Sequence, residues 1–314
     1  MMLRIKETID RIRRNGGNKK IGEPSSSVLD IANDQDEDLA ERETMMYRIK
    51  EKMGLVKRNG GNEKLKEPPS SVWENTNDHD KNLAGWVSPV YNQSRKVILD
   101  PLLLARNRCL PCLDNARAEV AFEVLRTRVL QRTRDSFDNT VMVTSALPGE
   151  GKTLTAINLA VSMARDFQST VMLIDSDLRK QSIHKYLGCA GDKGLIDYLI
   201  GNTPISQLIT WPGIEKITLI SGGRPLHESS DILGSPRMRD LVPSMKKRYP
   251  DRYIIFDVPP VLSGADVLTM ATLVDKILVV VQAGKTSMDD VKKALQYLPK
   301  EKILGLVLNR CEGK

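Results

Sequence analysis

The sequence predicts an α/β fold built on a doubly wound, mostly parallel sheet, and three observations carry that prediction. From Asn139 onward, short β-branched runs alternate with segments of helical periodicity. The runs are apolar throughout, as strands covered by helices on both faces should be. One of them passes without a break into a glycine-containing turn and an apolar-periodic helix. In chain order the predicted strands are Val141–Ala146, Val171–Asp175, Ile217–Ser221, Tyr253–Val258, Lys276–Val281 and Ile303–Asn309. Helices are predicted between them over 153–165, 194–200, 236–248, 264–273 and 287–298.

Ahead of this domain lies a flexible, partly helical N-terminal extension containing a tandem repeat. Ile5-Lys6-Glu7 recurs as Ile49-Lys50-Glu51, an offset of 44 residues, and Arg14 to Asn18 recurs as Arg58 to Asn62. Two copies are fewer than a solenoid needs to bury a shared core. Each copy opens on apolar residues at helical spacing, Met2, Ile5, Ile9, Ile12 and then Met46, Ile49, Met53, Val56, followed by Asn-Gly-Gly and polar linker. So short a helix is marginal by itself and calls for a partner; its basic face suits a membrane surface or a partner's groove. The organisation read from the chain is a first repeat copy over 1–44, a second with its linker over 45–96, a connecting arm and helix over 97–138, and the α/β domain over 139–314. Within the arm, an extended Val97-Ile-Leu-Asp100 and Pro101 precede a helix expected from Ala116 to Gln131.

Composition narrows the function classes. Among 314 residues, 47 Lys and Arg stand against 40 Asp and Glu, a net charge of +7, well short of the one-sided field of a dedicated nucleic-acid binder. No apolar run reaches the roughly 18–20 residues of a membrane-spanning helix. The N-terminus lacks the apolar core of a secretory signal. The expected location is cytoplasmic, and the basic N-terminal helices admit recruitment to the inner face of the membrane. Four cysteines are too few for a disulfide scaffold, and Cys109 and Cys112, the one close pair, read as reduced loop cysteines.

The chemistry concentrates at Ala146-Leu-Pro-Gly-Glu-Gly-Lys-Thr153, set between strand and helix as a phosphate-binding loop requires. Pro148, Gly149, Glu150, Gly151, Lys152, Thr153 and Leu154 are the predicted nucleotide-binding residues. The glycines let successive N–H groups face anionic oxygens, and the helix N-terminus adds a favourable dipole. Lys152 is expected to bridge the terminal phosphates of ATP, and the Thr153 hydroxyl to hold Mg²⁺. Ala146 stands where the pattern usually begins with Gly. Two further strands end in carboxylates: Asp175 and Asp177 after Val171–Ile174, and Asp257 after Ile254–Phe256. In doubly wound sheets ligands collect at these carboxyl ends.

The trio of phosphate loop, apolar-Asp-x-Asp-x-Arg and apolar-Asp-x-Pro-Pro resembles the bacterial tyrosine kinases, relatives of the septum-site and plasmid-partitioning ATPases. Ser145 to Thr153, Ile157-Asn-Leu-Ala160, Arg248-Tyr-Pro-Asp-Arg252, Gln282-Ala-Gly-Lys-Thr286 and Gly305-Leu-Val-Leu-Asn309 are similar to the autokinases of exopolysaccharide loci. The resemblance covers residues 97–314. It implies a P-loop, Mg²⁺- and ATP-dependent protein tyrosine kinase, acting on itself or a partner. The implied partner is a membrane polysaccharide co-polymerase that sets chain length and export, and the family admits homo-oligomers. It further implies that Lys152, Asp175 and Asp177 are catalytic, with Asp175 taking the acceptor's proton, that Thr153, Asp177 and Asp257 surround the metal, and that Asn309 contacts adenine.

One position separates the chain from the relatives of the family, and two features depart from the family pattern itself. Leu147 replaces the extra lysine of the partitioning-type ATPases, which favours the kinase branch. The Glu-x-x-Arg-x-x-Arg assembly helix has Val120, Glu123 and Arg126 as its counterpart, a helix that equally reads as docking Phe122, Leu125 and Val129 on the core. The chain closes on Asn309-Arg-Cys-Glu-Gly-Lys314 without a tyrosine cluster. The altered assembly helix and the missing tyrosine cluster motivate the alternative expectation, a nucleotide-dependent switch or docking module of the same system that transfers no phosphate to protein.

Overall fold

The computed structural model describes residues 94–112, 115–226, 229–248 and 251–311. The repeat helices predicted before residue 94, and Tyr47 and Tyr249, lie outside the described residues. Eight strands form one sheet among these residues: β1 (Arg95–Lys96), β2 (Thr140–Ser145), β3 (Thr170–Asp175), β4 (Thr210–Trp211), β5 (Ile217–Ile220), β6 (Arg252–Asp257), β7 (Lys276–Gln282) and β8 (Ile303–Asn309). Their order is β1-β4-β5-β3-β6-β2-β7-β8. Every pairing is parallel except that of β4 with β5.

Helices cover both faces, and the period of two along each strand divides the apolar residues between them. On one face α1 (Pro101–Arg106), α2 (Ala116–Thr133) and α3 (Lys152–Ala164) pack over Val141, Val143, Val171, Leu173, Ile255, Leu278 and Val280. On the other, α5 (Leu195–Leu199), α7 (Pro236–Arg248), α8 (Asp266–Leu273) and α9 (Met288–Gln296) cover Met142, Met172, Ile174, Ile254, Phe256, Ile277 and Val279. Two short helices, α4 (Ile183–Leu187) and α6 (Ser230–Leu233), sit in loops at the strands' carboxyl ends. α3 is buried along nearly its whole length, so the helix that follows the phosphate loop is fixed from every side.

The predicted strands and long helices appear where periodicity puts them. Asp100 is extended, as expected, and a helix that the sequence reading did not place follows it. Asp100 caps α1 by accepting from the Leu102 amide at 2.9 Å, and Pro101 occupies the first helical position, where its missing N–H costs nothing. The Pro acts as a helix start rather than a breaker. Leu104, Cys109 and Leu110 are 0% exposed beneath it. The cysteine pair is free, as expected, and buried in the core; burial, with Cys112 adding to it, pushes the Cys109 thiol up to about 12. In α2, Val129 is buried, with Phe122 and Leu125 against the same cluster, and Arg126 turns inward to donate to the Ser162 carbonyl at 2.9 Å.

Candidate functional site

Parallel strand order brings the ends of β2, β6 and β3 side by side, and with them the phosphate loop, Asp257 and Asp175. Asp175 and Asp257 are register partners on adjacent strands. The loop has the backbone that its glycines permit: Gly149 and Gly151 take φ of +84° and +96°, a region costly for any residue with a Cβ. Gly151 is doubly constrained, since a Cβ there would lie 2.2 Å from Asn309 Nδ2. Ala146, at 0% exposure, fits its place without a glycine.

Lys152 Nζ lies 2.9 Å from Asp177 Oδ2 and 3.1 Å from Asp257 Oδ1. It also donates to Thr153 Oγ1 at 3.4 Å, and the Thr153 hydroxyl donates to Asp257 Oδ2 at 2.6 Å. Burial alone would lower the Lys152 pKa, but the Asp257 and Asp177 charges outweigh it and hold the group above the ordinary lysine range. Asp257 shifts upward because burial outweighs the attraction of Lys152.

Asp175 is 0% exposed and lies behind these groups. Its Oδ2 accepts from the Ser182 and Ile183 amides at 2.9 and 3.0 Å, at the start of α4, while Oδ1 is buried without a hydrogen-bond partner. Burial, and secondarily the Asp257 charge, raise it from 3.8 to about 7. The expectation that Asp175 meets the acceptor hydroxyl directly differs from this arrangement, in which Asp177, not Asp175, lines the open cleft.

That cleft holds about 350 Å³ and is lined by Pro148, Gly149, Gly151, Lys152, Thr153 and Asp177, with Arg179, Tyr186, Pro259, Pro260 and Arg310 among the walls. Three other predicted nucleotide contacts have different surroundings. Glu150 is 3% exposed; its carboxylate accepts from the Leu147 amide at 2.7 Å and from the Gln282 amide at 3.4 Å, and takes the Thr286 hydroxyl, so it ties the loop to the end of β7. Asn309 Nδ2 donates to the Glu150 carbonyl at 2.8 Å and its Oδ1 accepts from the Arg310 amide at 2.8 Å. Its side chain is occupied in bracing the loop, and Arg310 is the neighbour that faces the cleft. The Leu154 side chain packs against the apolar cluster, leaving only its main chain at the helix N-terminus. Sequence reasoning missed Arg310 and the pairing of Arg179 with Asp266, at 3.1 Å. The Asp-x-Asp-x-Arg spacing was a signal for the first partner of that pair; nothing local marks the second.

Comparison with known proteins fits this geometry. A family model described as ParA: NUBPL iron-transfer P-loop NTPase matches residues 136–312. The chain is 32% identical over 190 residues to the tyrosine-protein kinase YwqD of Bacillus subtilis, covering 60% of this chain and 79% of that protein. It belongs to the bacterial tyrosine kinases, within the P-loop NTPases. Another relative of this kinase family member is the succinoglycan biosynthesis transport protein ExoP of Rhizobium meliloti, 31% identical over 193 residues; the match covers 58% of this chain and only 23% of ExoP. The kinase domain of the Escherichia coli tyrosine kinase ETK superposes with a TM-score of 0.57 at 27% identity, over 62% of this bacterial tyrosine kinase chain and 78% of that domain. Among the described residues no helix is long and apolar enough to cross a membrane.

Proposed function

We propose that this chain is an Mg²⁺- and ATP-dependent protein tyrosine kinase, acting on itself or on a membrane polysaccharide co-polymerase in exopolysaccharide chain-length control and export. The observation that carries the reading is the convergence of two carboxylates and one hydroxyl on a single ammonium: Asp177, Asp257 and Thr153 around Lys152 Nζ at 2.9, 3.1 and 3.4 Å. Hard oxygen donors of this number fit Mg²⁺, which takes its remaining ligands from phosphate and water. The ion, when bound, supplies charge neutralisation to the transferring phosphoryl group.

In this reading Thr153, Asp177 and Asp257 hold the metal, and main-chain amides from Gly149 to Leu154 wrap the phosphates with Pro148 at the cleft's lip. Lys152 exchanges its carboxylate partners for phosphate oxygens, carrying a charge that its surroundings secure. Asp175, buried and tied to the Ser182 and Ile183 amides, fixes the loop that carries Asp177 into the cleft. Asn309 steadies the loop from the β8 side. The names of YwqD and ETK as tyrosine kinases, and of ExoP as a polysaccharide transport protein, support the activity and the setting.

The test is incubation of the full chain, alone and with a candidate co-polymerase, with γ-labelled ATP and Mg²⁺. Label recovered as phosphotyrosine on either protein is expected. Nucleotide bound with no phosphotyrosine on either would remove the kinase reading.

A further inference from the structure

Two residues beyond Asp177, on the loop leaving β3, Arg179 is gripped by buried groups. Its Nε donates to Ser229 Oγ at 3.0 Å and lies 3.1 Å from Asp266 Oδ2, and its Nη2 donates to Asp266 Oδ1 at 3.3 Å. Asp266 and Ser229 are 1% and 0% exposed, and the Ser229 hydroxyl donates to the same carboxylate. One edge of the guanidinium is thus fixed. The other is not used: Nη1 has no hydrogen-bond acceptor among the described residues, and the side chain remains 41% exposed on the cleft wall. Gly264 lies alongside the guanidinium, where a Cβ would make only ordinary contact with it, 3.6 Å from Nη1 and Nη2.

Strand order indicates what this edge meets. Arg310 follows β8, two strands from β2 on one side; Arg179 follows β3, two strands from β2 on the other. Asp177 and Asp257 lie on the Arg179 side of the loop. If those carboxylates mark the terminal phosphate, as the proposed function has it, Arg179 lies beyond that phosphate, where an acceptor must come in opposite the leaving group. Lys180 is exposed next to it on the same cleft wall.

We propose that Arg179, pre-set by Asp266 and Ser229, selects the acceptor: with Lys180 it pairs with a carboxylate beside the target tyrosine, so that the enzyme favours acidic tyrosine segments. A planar guanidinium held in one orientation is well matched to a carboxylate and loses little freedom on pairing. The inference rests on the tyrosine-kinase reading.

It is tested with two synthetic peptides of equal length, one carrying Glu on both sides of a central Tyr and the other Gln, phosphorylated by the full chain with Mg²⁺ and ATP. The Glu peptide is expected to lead by about tenfold in kcat/KM, through KM, the size of one charge-assisted hydrogen bond. Arg179→Ala should shrink that preference to less than about threefold, and Arg179→Lys should restore part of it, with affinity for a fluorescent ADP analogue unchanged in both. Equal use of the two peptides by the unaltered chain overturns this assignment alone, as does an Arg179→Ala effect confined to nucleotide affinity. Phosphotyrosine on the chain itself with neither peptide labelled overturns this assignment and leaves the kinase reading standing; no phosphotyrosine on the chain, its partner or either peptide brings down both.

Discussion

At the residue scale, the site is a balance between carboxylates that burial pushes toward neutrality and one ammonium that holds them charged. Asp175 is the least compensated, with one oxygen capped by two amides and the other unpartnered. Its folded pKa of about 7 exceeds the reference 3.8, so between those values the folded chain binds the extra proton. The favourable contribution is therefore complete below the unfolded value and is lost as pH rises through about 7. Asp175→Asn keeps an oxygen for the Ser182 and Ile183 amides and removes the charge. It should stabilise the nucleotide-free chain by on the order of 2–4 kcal/mol near pH 8 and far less near pH 5, measured by urea unfolding at both. A penalty at both pH values would mean that the carboxylate is not strained. The loop residues were legible in the sequence because their chemistry is local: two glycines, a lysine and a threonine at fixed spacing. The bracing by Glu150 and Asn309 was not, because Glu150 finds Thr286 and Asn309 finds Glu150 across 136 and 159 residues.

At the element scale, strands and long helices were legible because each repeats its period several times. Of the short helices, α5 was read over 194–200, but α1, α4 and α6 were not. α4 has five residues, too few to display a period, yet its first amides hold Asp175. α1 carried a readable Asp-Pro start, but the Leu-Leu-Leu-Ala that follows looks like any apolar run, and only the packing shows that it closes one face of the sheet. Leu104→Ala, at a position with 0% exposure, should cost about 2–5 kcal/mol in denaturant unfolding. A loss below about 0.5 kcal/mol, as at a surface site, would mean that α1 does not belong to the core of the domain.

At the scale of the whole molecule, a parallel sheet turns three separate stretches of sequence into one site, because every strand that bears a carboxylate points its carboxyl end the same way as the loop. The doubly wound class and the meeting of these strand ends followed from the alternation of apolar runs and helices. The lateral order β3-β6-β2 did not, since nothing in a strand's own residues names its neighbour. That order puts Asp257 next to the loop and Asp175 one strand further out. The central claim is that Lys152 and these carboxylates together receive a magnesium nucleotide. Calorimetric titration of a non-hydrolysable ATP analogue, with and without Mg²⁺, into the unaltered chain and into Lys152→Met tests it most directly. The account predicts one-site binding that weakens by at least about tenfold without Mg²⁺ and is lost in the variant. Equal affinity in the two proteins, or binding indifferent to Mg²⁺, would contradict it.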